Sequence, residues 1–235
     1  MRIIGKIELK DRNVIKPIRY EGVRNIGDPN ILLNKFYNLN LDEIFILNSV
    51  STLYETNWVL DFLKKISKRI FIPLMAGGGI KSVDTAEAFI RSGADKISIC
   101  SAITNNLKLL EKISKKIGSQ STVASIQAVK IENEWYGFKA MGRTNSKKKV
   151  TELIKEFQSN GAGEIIVTSV MDDGVMKGLN LELLEICNNV SKIPLIICGG
   201  LNGEEKLKFN VDAICGSSIF HFTDTNGDKL RNTLL

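Results

Sequence analysis

Apolar, β-rich runs recur along the chain at residues 3–9, 44–50, 72–76, 96–100, 122–128, 164–170, 193–198 and 213–216. Each predicts a strand. Between them, apolar residues return at helical spacing: Ile31, Leu33 and Phe36; Val59, Phe62 and Leu63; Ala86, Phe89 and Ile90; Leu107, Leu110 and Ile113; Val150, Leu153, Ile154 and Phe157; Leu181, Leu184 and Ile186. Strands alternating with helices predict parallel βα units, and eight such units close into a (β/α)8 TIM barrel. An open, doubly wound sheet is the alternative. It is disfavoured by the lack of a GxGxxG after the first strand and by an internal duplication.

That duplication shows as a constant interval between Phe36 and Phe157, Glu43 and Glu164, Ile72 and Ile193, and Pro73 and Pro194. Asp95 and Asp212 stand slightly closer together, so the link near Lys208 and Phe209 is expected to leave the last helix short or irregular. Two half-barrels making a single domain over residues 1–235 are the expectation. The connections 10–30 and 129–149 are longer than a tight βα loop needs and occupy the same place in each half, on the face where barrel active sites are built. The first carries Lys10, Arg12, Lys16, Arg19 and Arg24, and predicts a basic, mobile lid over an anionic substrate.

Composition narrows the class. With 43% hydrophobic and 25% charged residues the chain can bury a core and is not disordered overall. No run approaches a membrane span, and the first ten residues lack a signal peptide's apolar stretch, so a cytoplasmic location is expected. Four cysteines without a CxxC pair, and one histidine, His221, support neither a zinc site nor a disulfide framework. No metal and no cofactor are expected. The net charge of +6 biases the protein toward small anions, because the basic clusters lack the interleaved aromatics of a nucleic-acid surface.

Candidate chemistry lies in two glycine turns. Gly77, Gly78 and Gly79 end the third strand, and Gly199 and Gly200 end the seventh. In each half the next strand ends in serine, Ser101 in one and Ser217 with Ser218 in the other. Backbone N–H groups at such turns can cradle phosphate, and two cradles facing each other across a barrel mouth would suit a ligand with anionic groups at both ends.

Several motifs together carry a family resemblance: Lys10-Asp11 through Lys16, Gly27-Asp28-Pro29, Gly77-Gly78-Gly79-Ile80, Gly93-Ala94-Asp95-Lys96, Gly118-Ser119-Gln120, Gly161-Ala162-Gly163-Glu164, Thr168-Ser169, Asp173-Gly174, Gly199-Gly200 and Phe220-His221-Phe222. Across nearly its whole length the chain resembles the cyclase subunit of imidazole glycerol phosphate synthase. The resemblance implies a barrel that receives ammonia from a glutaminase partner in a heterodimer and uses it on a bis-phosphorylated intermediate. It also implies that Thr168, Asp173 and Gly174 join the substrate site, that Lys16 acts in the first loop, and that Arg2, Glu43, Lys96 and Glu164 gate the ammonia entrance. Asp95 and Gln120 match the face that docks the glutaminase.

The departures fall at the chemistry. Glu8 and Gln127 stand where the family places its acid and base aspartates. Glu8 keeps the carboxylate on a longer arm, but a glutamine amide exchanges no proton near neutral pH and can only orient. Asn48, Cys100, Met141 and Met171 also replace family residues. The expected function is therefore an ammonia-using synthase subunit with a divergent anionic substrate. Amidation or amidine formation on a surface-polysaccharide sugar nucleotide, with an amidotransferase-type enzyme as third partner, is the finer expectation. An ordinary histidine-pathway cyclase and a non-catalytic ammonia-conducting scaffold are the alternatives. Cys198 and His221 are read as packing residues.

Overall fold

The computed structural model describes residues 1–10, 12–49, 58–207 and 211–234. The chain opens with β1 (Arg2–Lys10), doubles back through β2 (Asn13–Ile18) and β3 (Glu21–Gly27), and enters α1 (Pro29–Tyr37). Then follow β4 (Glu43–Asn48), α2 (Trp58–Ile66), β5 (Leu74–Gly77), α3 (Val83–Arg91), β6 (Lys96–Ile99), the short α4 (Ser101–Thr104) and α5 (Leu107–Ile117). The second half runs through β7 (Thr122–Ile131), β8 (Glu134–Lys139), β9 (Thr144–Lys149), α6 (Val150–Ser159), β10 (Glu164–Ser169), α7 (Leu181–Asn188), β11 (Leu195–Cys198), β12 (Ala213–Gly216), α8 (Ser218–Phe222) and α9 (Gly227–Leu234).

Strands β1, β4, β5, β6, β7, β10, β11 and β12 pair in parallel in that order, and β12 returns to β1 through Arg2↔Ala213 and Ile4↔Cys215. The expected (β/α)8 barrel is thus closed, with no free edge among its eight strands. Helix starts follow the capping rules. Asp28 accepts hydrogen bonds from the backbone N–H groups of Asn30 and Ile31 ahead of Pro29, and Ser82 accepts one from Thr85. Leu33, Phe36, Leu63, Phe89, Ile113, Ile154 and Phe157 turn inward and fill the layer between helices and barrel. No helix among the described residues is long and apolar enough to cross a membrane.

Two expected strands start late for a physical reason. β5 begins at Leu74 and β11 at Leu195, each just after a proline with no N–H to donate. Both proline carbonyls still accept, Pro73 from Ile44 and Pro194 from Ile165, both at 3.0 Å, so the two halves repeat the device. The two long connections are also built alike, as β-structure. β2 runs antiparallel to the end of β1 and carries β3, and β8 runs antiparallel to an extended β7 and carries β9. The expected lid is therefore a regular strand pair seated on the barrel, and Lys16 lies buried within it. Asp11, Val50, Lys208 and Phe209, which belong to the runs and motifs named above, lie outside the described residues.

Candidate active site

Alternation along β1 sends Arg2, Ile4, Lys6 and Glu8 to one face of the strand, the barrel interior, so one strand traverses the site from base to mouth. At the base, Arg2 bonds Glu43 at 2.9 Å and Glu164 at 2.8 Å, while Lys96 reaches Glu43 at 3.0 Å and Glu164 at 3.1 Å. The four residues close a ring at the strand starts. Burial pushes the Glu43 carboxyl above its ordinary pKa, against the pull of Lys96. Nearby Asp95 braces a strand start. Its carboxylate accepts the Leu74 N–H at 2.8 Å, as Asp212 accepts that of Leu195 and Asp42 that of Ile3. Gln120 is exposed on the same face, in the 3-10 turn Ser119–Ser121.

Above the ring lies an apolar layer of Ile4, Phe45, Met75, Val123, Ile166, Ile196 and Ala213. Beyond it the mouth holds two cavities. The first, of about 290 Å³, is lined by Lys6, Asn48, Gly78, Gly79, Ser101, Gln127 and Thr168 among others. Gly78 and Gly79 take φ of +101° and +77°, a region that L side chains resist, and this lets their backbone face the cavity. The second is much smaller and brings together Asp173, Gly174, Gly199, Gly200, Ser217 and Ser218. The buried Ser217 and Ser218 hydroxyls have no hydrogen-bond partner among the described residues. Each glycine turn thus shares a cavity with the serine at the end of the next strand, and the two cavities share no lining residue.

Between the cavities stands a quartet that the sequence did not announce. Lys6 Nζ lies 3.1 Å from Asp173 and 3.4 Å from Glu8; Lys16 Nζ bonds the other Glu8 oxygen and approaches Asp173 at 3.2 Å. All four side chains are at most 3% exposed. Burial alone would lower the pKa of Lys6, but Asp173, then Cys198 and Glu8, carry it well above the ordinary value. Burial likewise opposes ionisation of Asp173, and Lys6 and Lys16 overcome it and hold that carboxyl below its usual range. The lid residue Tyr20 covers the quartet, its ring centroid 5.8 Å from Lys6 Nζ. Its strand pair is pinned where Arg19 N–H donates to the Asp173 carbonyl at 2.8 Å. Gly174 permits the close approach, since a Cβ there would stand 2.6 Å from the Pro17 carbonyl oxygen.

The expected acid–base pair is therefore divided. Glu8 is fully buried between two lysines and lines neither cavity, while Gln127 lines the first cavity and accepts the Gly142 N–H at 2.7 Å through Oε1. A backbone N–H only donates, so this bond fixes the amide with Nε2 as the free donor end. Asp173, expected at the substrate site, lines the second cavity and also bonds both lysines, and Lys16 faces carboxylates. Cys198 is buried and pairs across strands with Cys215, whose thiol hydrogen-bonds it and lowers its pKa. His221 packs on Phe36 at 4.6 Å, and burial, with Lys16 and Lys35 nearby, drops its pKa to about 3. Neither of its ring nitrogens has a hydrogen-bond partner among the described residues, so its role is packing. Sequence reasoning missed Lys6 and Tyr20. The i, i+2 spacing of Lys6 and Glu8 on one strand was the available signal for the first. The described residues contain no group of three or more His, Cys, Asp or Glu that could hold a metal ion.

Comparison with known proteins agrees with this architecture. The family described as "Histidine biosynthesis protein" matches residues 2–225. "Imidazole glycerol phosphate synthase subunit HisF" of Campylobacter concisus (strain 13826) is 37% identical, over 99% of this chain and 94% of its own. The proteins of the same name from Legionella pneumophila and Thermotoga sp. (strain RQ2) are 36% identical over 88% of the chain and 98% of theirs, and 32% identical over 99% and 94%. With the barrel, the charged base and the paired glycine turns in place, the chain belongs to the histidine biosynthesis protein family, as a relative of imidazole glycerol phosphate synthase subunit HisF.

Proposed function

We propose that the chain is the ammonia-using subunit of a glutaminase-coupled synthase, acting on an anionic, phosphorylated acceptor without the aspartate pair of the ordinary cyclase. One observation carries the reading: the charged ring at the base keeps its four residues, whereas at the mouth Glu8 is locked in an ion quartet and its counterpart is the amide of Gln127.

The physical steps follow from the layers. A glutaminase docked around Asp95 and Gln120 releases ammonia at the base, and the ring opens by letting its partly exposed cations rehydrate. The apolar layer above admits neutral ammonia and rejects ammonium, whose desolvation is costly. Ammonia then enters the first cavity beside Lys6, Gln127 and Thr168, where Gly78, Gly79 and Ser101 hold the acceptor's phosphate. Lys6 and Gln127 Nε2 are donors, so they orient and polarise an acceptor oxygen without removing a proton.

The deciding experiment supplies the bis-phosphorylated ribulosyl aminoimidazole carboxamide intermediate with ammonium salts and looks for imidazole glycerol phosphate. Only background turnover is expected, and turnover at ordinary enzyme rates would return the chain to the plain cyclase reading. In parallel, the purified chain should stimulate its glutaminase, and Lys96→Met should remove that coupling. A sugar nucleotide of surface-polysaccharide synthesis, with its amidotransferase-type partner, is the first alternative acceptor to assay.

A further inference from the structure

The first cavity has a lining that the phosphate cradle does not explain. Among the described residues its lining includes two lysines, Lys6 and Lys81, and no aspartate or glutamate. The cradle of Gly78, Gly79 and Ser101 accounts for one end. At the other, Lys6 spends two N–H directions on Asp173 and Glu8, and an ammonium group has three. Gln127, its oxygen bonded to the Gly142 N–H and its Nε2 left as donor, lines the same space together with Ser125 and Thr168. The quartet is neutral as a set, but it presents its cationic member to this cavity and its Asp173 member to the other. The Lys6–Asp173 ion pair joins a lining residue of the first cavity to one of the second, with Tyr20 beside it, so this contact stands between the two.

We propose that the first cavity is a self-contained site for a compact phosphorylated carboxylate, with the phosphate at Gly78, Gly79 and Ser101 and the carboxylate at Lys6 and the Gln127 amide. This names the class of the acceptor and rests on the reading above only for the idea that an acceptor binds here. Two donor-bearing side chains of strands β1 and β7 lining one cavity suit a carboxylate, and a volume of about 290 Å³ holds a short-chain phosphate with room for ammonia. Lys6 is the specificity-determining residue: it rewards a second negative group where a neutral hydroxyl would gain only an ordinary hydrogen bond. Ser101 already accepts the Ala140 N–H at 3.1 Å, so toward the phosphate its hydroxyl acts as a donor.

The test is calorimetric titration of the intact protein with three probes: inorganic phosphate, glycerol 3-phosphate and 3-phosphoglycerate. The last two differ by a hydroxymethyl and a carboxylate at the same position. The wild-type chain should bind 3-phosphoglycerate at least about tenfold more tightly than glycerol 3-phosphate, the scale of one charge-assisted hydrogen bond. Lys6→Met should abolish that preference and cost glycerol 3-phosphate no more than an ordinary hydrogen bond, whereas Ser101→Ala should weaken all three probes together. Equal binding of the two organic probes by the wild type, or a preference surviving Lys6→Met, overturns the proposal. Should Lys6→Met fail to fold, Gln127→Leu, outside the quartet, must reduce the preference. Glutaminase stimulation measured on the same preparations separates the two readings. Parity of the probes with stimulation intact sinks the carboxylate site alone, and lost stimulation with the preference intact sinks the ammonia reading alone.

Discussion

The two ends of this barrel carry the same charges in opposite settings. At the base Arg2 and Lys96 face Glu43 and Glu164; at the mouth Lys6 and Lys16 face Glu8 and Asp173. Both rings sum to zero. The base is wet, with the Arg2 side chain 30% and Lys96 17% exposed, whereas no member of the mouth quartet exceeds 3%. In water, parting a cation from a carboxylate costs little because each is rehydrated; in the interior it strands a charge. The first ring thus parts at a lower electrostatic cost than the second. The second is a rigid template whose charges are fixed before any ligand arrives.

This contrast can be broken most directly by removing one carboxylate from each ring without changing its shape. Asp173→Asn leaves Lys6 and Lys16 sharing Glu8 alone, and urea unfolding should show a loss of about 3–5 kcal/mol. Glu164→Gln, in the wetter ring, should cost under about 1 kcal/mol. Equal costs would mean that burial does not distinguish the rings.

Acid sharpens the same comparison. Asp173 has a folded pKa below its ordinary value, so its contribution to stability is present above about pH 3.9 and is lost as pH falls through the folded value. The stability gap between wild type and Asp173→Asn should accordingly close in strong acid. Glu43 has the opposite sign. Its raised pKa means the folded state favours the proton, so its contribution is present in acid and is lost as pH rises through the folded value. Glu43→Gln should therefore change stability least, flattening a small decline toward neutrality. A decline that persists in this variant would assign it to another group.

Much of the frame was legible in the chain. The alternation of runs announced eight strands, and the repeated Ile-Pro-Leu marked equivalent places in the two halves, although each strand starts only after its proline, which can accept but not donate. The members of the base ring were named by the family resemblance, and each opens a strand, which places all four at one end of a parallel barrel. Lys6 was hidden inside an apolar run, where a lone lysine reads as a strand residue without a partner. Its partners in the quartet beyond its own strand, Lys16 and Asp173, come from β2 and from the turn after β10. The extent of β2 was equally obscured: residues 10–30 carry basic charge that suggests a solvated loop, yet Lys16 has carboxylates waiting inside.

What the sequence determined by itself is periodicity and local chemistry: which runs are strands, which faces are apolar, where glycine lets the backbone turn, and that Gln127 cannot exchange a proton. These follow from residues within a few positions of one another. Tertiary structure alone decided the state of Glu8. One strand-mate, one residue of the folded-back strand pair and one turn from the second half-barrel converge on the site. Only that convergence turns a carboxylate placed for proton transfer into the fixed member of a buried quartet. The same closure divides the mouth into two cavities. Long-range contacts set electrostatics because the energy of a charge depends on what surrounds it in space, and the order of residues along the chain does not specify that.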